Sequence, residues 1–242
     1  IFHIHNNPPW IKRININSFS FLLAGLKADK ILTVSKAIGK EYIFFNFIRN
    51  KTRCIGNPLE RKKILELVKG IDSEKKYDIC CTARISKQKN PMEFLNIIYQ
   101  VKSIIPEIKA IWIGDGEMKN DMKQKIKELG MENHVKLLGF KNNPYEYMKK
   151  SKIFLLTSDW EGFGLSAFEA LTLGLPCVVN NVGGLREIVT NDCGKLFVNS
   201  QEAVENIVKM LKDTKLLENK SQKAKNRAKH LENINDYIEK II

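Results

Sequence analysis

Residues suited to chemistry gather in four short stretches, each directly after an apolar run. The densest is DWEGFGL at 159–165, where acids and glycines precede an amphipathic segment. Gly162 and Gly164 permit tight backbone geometry, and the free N–H groups of a helix starting near 164–166 form a site for an anion. Glu161 and Glu169 have seven residues between them. At about 3.6 residues per turn, the first precedes that helix and the second stands well inside it. Such a spacing does not suit an acid/base pair. It suits two carboxylates that each accept hydrogen bonds from hydroxyls, on opposite sides of the bound anion.

A second stretch, RISKQK at 84–89, sets Arg84 and Lys89 in one loop ahead of a helix. GDGE at 114–117 and NVGG at 181–184 are small-residue turns that would let backbone approach a ligand. Backbone donors combined with two cations match a diphosphate better than a carboxylate. Asp115 and Glu117 lack partner ligands, so no metal is expected, and His134 reads as structural at the start of a strand. Each stretch alone also fits an ordinary α/β turn or a surface charge. Their joint occurrence carries the inference.

The elements that must position them alternate regularly. YDICCTA, IKAIWIG, HVKLLG, KIFLLTS, PCVVN and KLFV read as short, continuously apolar strands. Helices are predicted over 91–101, 117–129, 164–173 and 184–189, with a short one after Pro144. Strands of this kind separated by helices imply a parallel sheet covered on both faces, with right-handed crossovers: an α/β, doubly wound, Rossmann-like domain. Ligands then bind at the carboxyl ends of the strands, where all four stretches fall.

Residues 1–56 repeat the pattern in miniature, with strands at IFHIH, DKILTVS and TRCIG and helices over 18–26 and 36–47. Two or three strands cannot close a core, so this segment reads as the end of a preceding, incomplete Rossmann-like domain, and the chain as a fragment. GNPLERKK at 56–63 is the expected linker, because Asn57-Pro58 interrupts regular structure. Residues 57–224 would form the complete domain. Residues 225–242 would form a C-terminal helix returning towards the first domain, amphipathic over 232–242.

Net charge is +13, and Lys supplies most of it. The lysines scatter over predicted helix faces, as a solvated surface requires. Local clusters at 49–53, 61–63 and 209–229 suit an anionic membrane surface better than nucleic acid, because no aromatic residues interleave with them. Five cysteines without C-x-x-C spacing argue against zinc and for a reducing compartment. No apolar stretch is long enough to cross a bilayer as a helix, and no leader pattern is present.

With those residues in view, EGFGLSAFEALTLGLPCVV resembles the Glu–seven residues–Glu motif of retaining GT-B glycosyltransferases, in particular family four. ARISKQKNP, WIGDGE, VKLLGF, VGGLREIV and CGKLF follow the same order, and LTVSKAIGKEY with CIGNPLE extends the resemblance back to about residue 29. The resemblance implies a GT-B fold and transfer of a sugar from a nucleotide-sugar to a glycan or lipid-linked acceptor. Configuration would be retained without a bound metal or other cofactor, in cell-envelope polysaccharide, lipopolysaccharide or capsule assembly at the cytoplasmic face of a membrane. It implies that Arg84, Lys89 and the backbone of Gly164 and Leu165 contact the donor diphosphate and that Glu169 binds the ribose. Glu161, catalytic together with a His, would contact the donor sugar along with Gly162 and Phe163. A catalytic His near the end of an N-domain strand falls at His5 rather than His3. Ala83 and Asn90 depart from the family pattern, each standing where glycine is usual. Two other readings stay open: a GT-B phosphorylase or epimerase, and a nucleotide-sugar-binding module that transfers little or nothing.

Overall fold

The computed structural model describes residues 1–232. A three-stranded parallel sheet is formed by β1 (Phe2–Ile4), β2 (Ile31–Thr33) and β3 (Thr52–Cys54), in that spatial order. Helix α1 (Ile16–Lys27) crosses from β1 to β2, capped by Asn15 and Ser18 in a reciprocal box. The predicted helix over 36–47 is two helices, α2 (Lys36–Glu41) and α3 (Phe45–Ile48). Tertiary bonds explain the break: the Ile43 amide donates to the Ile11 carbonyl, and the buried Tyr42 hydroxyl to Ser18 O at 2.8 Å. The linker expected at 56–63 is shorter, because α4 (Arg61–Leu67) begins inside it.

The larger sheet contains β4 (Tyr77–Thr82), β5 (Ala110–Ile113), β6 (Val135–Leu137), β7 (Ser151–Leu156), β8 (Cys177–Asn180) and β9 (Gly194–Phe197). All pairings between these strands are parallel, in the order β6-β5-β4-β7-β8-β9. The chain therefore winds outward from β4 one way and from β7 the other. The junction of β4 and β7 is the topological switch point, where a crevice must open between diverging loops.

Helices α5 (Pro91–Lys102), α6 (Lys119–Glu128), α7 (Tyr145–Lys149), α8 (Leu165–Thr172), α9 (Leu185–Ile188), α10 (Ser200–Lys212) and α11 (Thr214–Leu231) complete the unit. Its core is fully buried at Trp112, which meets Phe94 edge-on at 5.1 Å and donates Nε1–H to Ala83 O. A second, smaller core gathers Ile4, Ile31, Val34, Ile38 and Tyr42, and Phe163 packs against both. Helix α11 runs unbroken through residues 224 and 225. Apart from its first residue, the amphipathic segment expected over 232–242 lies outside the described residues. No described helix is long and apolar enough to cross a membrane.

Candidate functional site

A cleft of about 580 Å³ opens at the switch point. Two loops form its floor, and their own polar groups knit them together. The Gln88 side chain donates to Trp160 O, while the Asp159 amide donates to Gln88 O, both at 2.9 Å. Thr157 Oγ1 reaches the carbonyls of Lys89 and Asn90 at 3.0 Å. Asn90 explains one departure from the family pattern. Its backbone is left-handed (φ +47°), which asparagine tolerates, and its side chain caps α5 at the Glu93 amide.

Lys89 Nζ meets Glu161 Oε1, which also accepts from Ser158 Oγ at 2.8 Å. Glu161 is only 6% exposed, so this buried carboxylate depends on that cation and that hydroxyl. Its other oxygen has no partner among the described residues. Arg84 lies across the floor, largely exposed, with its guanidinium 3.3 Å from Glu117.

Gly164 adopts φ +103°, and a Cβ there would meet the Leu185 side chain. The chain thus turns sharply into α8, leaving the Leu165 and Ser166 amides, both at the cleft wall, without intrahelical acceptors. One and a half turns on, Glu169 is half-buried and accepts from the Tyr145 hydroxyl at 3.1 Å. Burial pushes its carboxyl up to about 7, with the Tyr145 hydrogen bond acting the other way. Burial and the Glu169 charge in turn push Tyr145 up to about 12.

The opposite wall comes from the smaller sheet. His5 and Asn6 line it just past the end of β1, joined by Asn57 from the linker. His3 lies against His5, ring centroids 3.9 Å apart and the rings tilted by 44°, and burial followed by the His5 charge lowers its pKa. Alternation along β1 thus places both rings on one face and His5 at the cleft.

Of the residues singled out from sequence, the cleft brings together His5, Arg84, Lys89, Glu161, Gly162, Phe163, Gly164, Leu165 and Glu169. The Gly183-Gly184 turn does something other than expected. A Cβ on Gly183 would meet the Glu161 carbonyl, and one on Gly184 would meet Gly162 and Phe163 backbone. That pair packs against the backbone of the 161–163 loop and does not line the cleft. Gly114 and Gly116 press against the Ala83 and Ile85 carbonyls, and Asp115 pairs with Lys119, yet Gly114 and Asp115 also line a cavity beside the cleft, where backbone can approach a ligand as expected. No group of three or more His, Cys, Asp or Glu able to hold a metal ion occurs among the described residues.

Four further residues reach the site: Gln88 and Ser158, within or beside the stretches already singled out, and Tyr145 and Thr82, which only the fold brings there. Thr82 Oγ1 is buried without a partner among the described residues. It lines both this cleft and an adjoining, mainly apolar cavity of about 390 Å³, which Arg84, Ile113, Phe140 and Pro144 help enclose.

A GT-B arrangement is defined by the two parallel units facing one cleft and the six-stranded order of the larger sheet. HepE from Anabaena, solved with UDP and glucose, superposes with a TM-score of 0.84 at 23% identity, over 99% of this chain and 69% of that one. TarM of S. aureus superposes at 0.79 with 18% identity, over 98% of this chain and 49% of that one. The family model "Glycosyl transferases group 1" matches residues 65–229, and the chain belongs to that family.

Among curated relatives, the N-acetylgalactosamine-N,N'-diacetylbacillosaminyl-diphospho-undecaprenol 4-alpha-N-acetylgalactosaminyltransferase of Campylobacter jejuni is 31% identical over 226 residues. The match takes in 90% of this chain and 60% of that protein. An uncharacterized glycosyltransferase of Methanocaldococcus jannaschii is 30% identical over 213 residues, 78% of this chain and 52% of that protein. The UDP-Gal:alpha-D-GlcNAc-diphosphoundecaprenol alpha-1,3-galactosyltransferase of Escherichia coli is 31% identical over 163 residues, 65% of this chain and 42% of that protein. The chain thus spans roughly half the length of the curated relatives it matches.

Proposed function

We propose that the whole protein transfers a sugar from a nucleotide-diphospho-sugar to a glycan or lipid-linked acceptor, with retention of configuration and without a metal. Support comes above all from one relationship: the Lys89–Glu161 pair faces unsatisfied amides at the start of α8, with Arg84 alongside. In this reading the diphosphate lies between those amides, Lys89 and Arg84. As the bond from the sugar C1 to the diphosphate oxygen breaks, the leaving group takes the electron pair. The same donors stabilise that growing negative charge, the task a divalent cation performs elsewhere. The acceptor hydroxyl attacks C1 from the face the diphosphate leaves, which retains configuration, and its proton passes to the departing diphosphate oxygen.

Glu161 offers its free oxygen to a hydroxyl of the transferred sugar, held between Gly162, Phe163 and His5. Glu169 accepts from the ribose hydroxyls, and the adjoining cavity, with the unpaired Thr82 hydroxyl, takes the base. Both relatives named with a lipid-linked sugar act on a diphospho-undecaprenol acceptor. Their similarity supports an acceptor of that kind; cell-envelope polysaccharide synthesis, the cytoplasmic face of a membrane and peripheral contact with anionic lipid belong to the same proposal.

A thermal-shift panel of UDP-, GDP- and ADP-sugars tests the donor assignment, since a ligand that binds only the native state raises Tm. One nucleotide-sugar should stabilise the protein without added metal, and loss of that shift in Glu169→Ala is expected. No shift with any of the three would contradict the reading.

A further inference from the structure

Three lysines converge on a pocket at the end of the larger sheet opposite the cleft. It encloses about 280 Å³ between β9, α10 and α11, and none of its lining residues also lines the cleft. Gly194 and Lys195 open β9, and a parallel sheet sets its strand starts at the end away from the ligand-binding loops. The whole lining falls within residues 65–229, the span that the family model matches.

Each lysine comes from a different element: Lys195 from β9, Lys209 from α10 and Lys220 from α11. No carboxylate lines the pocket, and Lys195 and Lys209 enter no ion pair among the described residues. Lys220 is half-buried and held in place. Its Nζ donates to Asn191 O at 2.7 Å and to Gly194 O at 3.4 Å, which leaves one N–H. Burial lowers its pKa, Cys193 and Asp192 act against that, and the Lys209 and Lys195 charges lower it further. A lone surface lysine is an ordinary solvated cation. Three held round one concavity raise the local potential and favour an anion there.

The remaining walls describe the rest of the ligand. The Asn206 side chain donates to Glu202 O at 2.7 Å, and its Oδ1 has no donor among the described residues, so it can accept from a hydroxyl. Met210 is buried and Leu216 half-buried, and together they supply an apolar wall. The volume lies just below the usual range for small-molecule sites, about 300–1,000 Å³. It suits a phosphate on a small polyol and leaves no room for a nucleotide-sugar.

We propose that this pocket binds a small phosphomonoester of the sugar-phosphate class. Its phosphate meets Lys195, Lys209 and Lys220, a hydroxyl donates to Asn206, and the carbon skeleton lies against Met210 and Leu216. The site is separate from the donor cleft and stands whether or not the transferase reading does.

Calorimetric titration of the full chain with glucose-6-phosphate and with glucose tests it. The phosphorylated sugar should bind at least about tenfold more tightly than glucose, which lacks the charge. Lys195→Met and Lys209→Met should each weaken it about tenfold or more. Both side chains reach solvent, so these variants should keep the parent's circular dichroism. Lys223→Met, at an exposed position of α11 outside the pocket, and Lys89→Met, in the cleft, should leave the affinity unchanged. No binding of glucose-6-phosphate by the parent would overturn the inference. So would equal weakening by Lys223→Met, the mark of diffuse charge, or weakening by Lys89→Met alone, which would put the sugar phosphate in the donor cleft. Binding to phosphatidic acid vesicles that Lys209→Met abolishes, without any binding of glucose-6-phosphate, would also overturn it and assign the lysines to a lipid headgroup.

Discussion

Glu41 of α2 and Arg186 of α9 meet across the two units, with Oε1 and Nη1 2.9 Å apart. Glu41 also accepts from Asn7 at 2.6 Å and pairs with Lys12 at 2.9 Å. Asn7 lies two residues beyond His5. Arg186 lies two residues beyond Gly184 and is fixed by the Asn181 carbonyl and side chain. The pair thus ties the His5 wall of the cleft to the turn that supports the Glu161 loop.

Removing that tie should separate binding from turnover. Glu41→Gln in the full-length enzyme is expected to lower kcat about tenfold and leave nucleotide affinity within about twofold, since no donor-contacting group changes. Burial pushes the Glu41 carboxyl up, but bonds from Lys12 and Asn7 and the Lys12 and Arg186 charges leave it below its ordinary value. Its stabilisation is therefore complete above the unfolded pKa and disappears as pH falls through the lower folded one. Denaturation at pH 7 should show Glu41→Gln about 1 kcal/mol less stable, a modest value because Arg186 is half exposed. The gap should close in acid.

Glu169 gives the opposite sign. Its carboxyl is raised from 4.5 to about 7, so the folded protein holds a proton the unfolded chain has lost. Stability contributed by this group falls as pH rises through that interval and is then constant. Glu169→Gln should accordingly be more stable than the parent at pH 8, by about 1–2 kcal/mol, in chemical denaturation of the free protein. Ribose hydroxyls favour the carboxylate. Nucleotide binding should therefore tighten up to about pH 7 and release protons below it, read by calorimetry in buffers of different ionisation enthalpy. In Glu169→Gln both effects should vanish.

Gly183 has φ +47° and no room for a Cβ beside the Glu161 carbonyl. Gly183→Ala should cost about 2–4 kcal/mol in unfolding free energy, from backbone strain and displacement of the loop. Any folded fraction should bind nucleotide-sugar weakly, because the α8 amides move with that loop. A control at Gly130, where a Cβ meets nothing, should cost about 1 kcal/mol, since φ +59° still disfavours alanine.

Much of the larger unit was legible because parallel strands buried on both faces leave continuous apolar runs, and the switch point then fixes which loops converge. That is why Arg84, Lys89, Glu161 and Glu169 could be placed together. The roles of Gly183 and Gly184 were not legible: a glycine pressed against another loop's carbonyl has the same sequence appearance as one pressed against a ligand. Tyr145 and Thr82 carried no signal, since a partner supplied by tertiary packing has no fixed spacing. The break at 42–44 was hidden too, because a backbone bond from Ile43 to Ile11 outweighs local helical preference.

In the proposed function the cleft recognises a diphosphate before anything else. Calorimetric affinities of the parent, Arg84→Met and Lys89→Met for a nucleoside diphosphate and the matching nucleoside test it most directly. Each lost charge-assisted bond should weaken the diphosphate about tenfold to a hundredfold and leave the nucleoside unchanged. Equal losses for both ligands, or no loss for either, would mean that Arg84 and Lys89 do not hold a diphosphate.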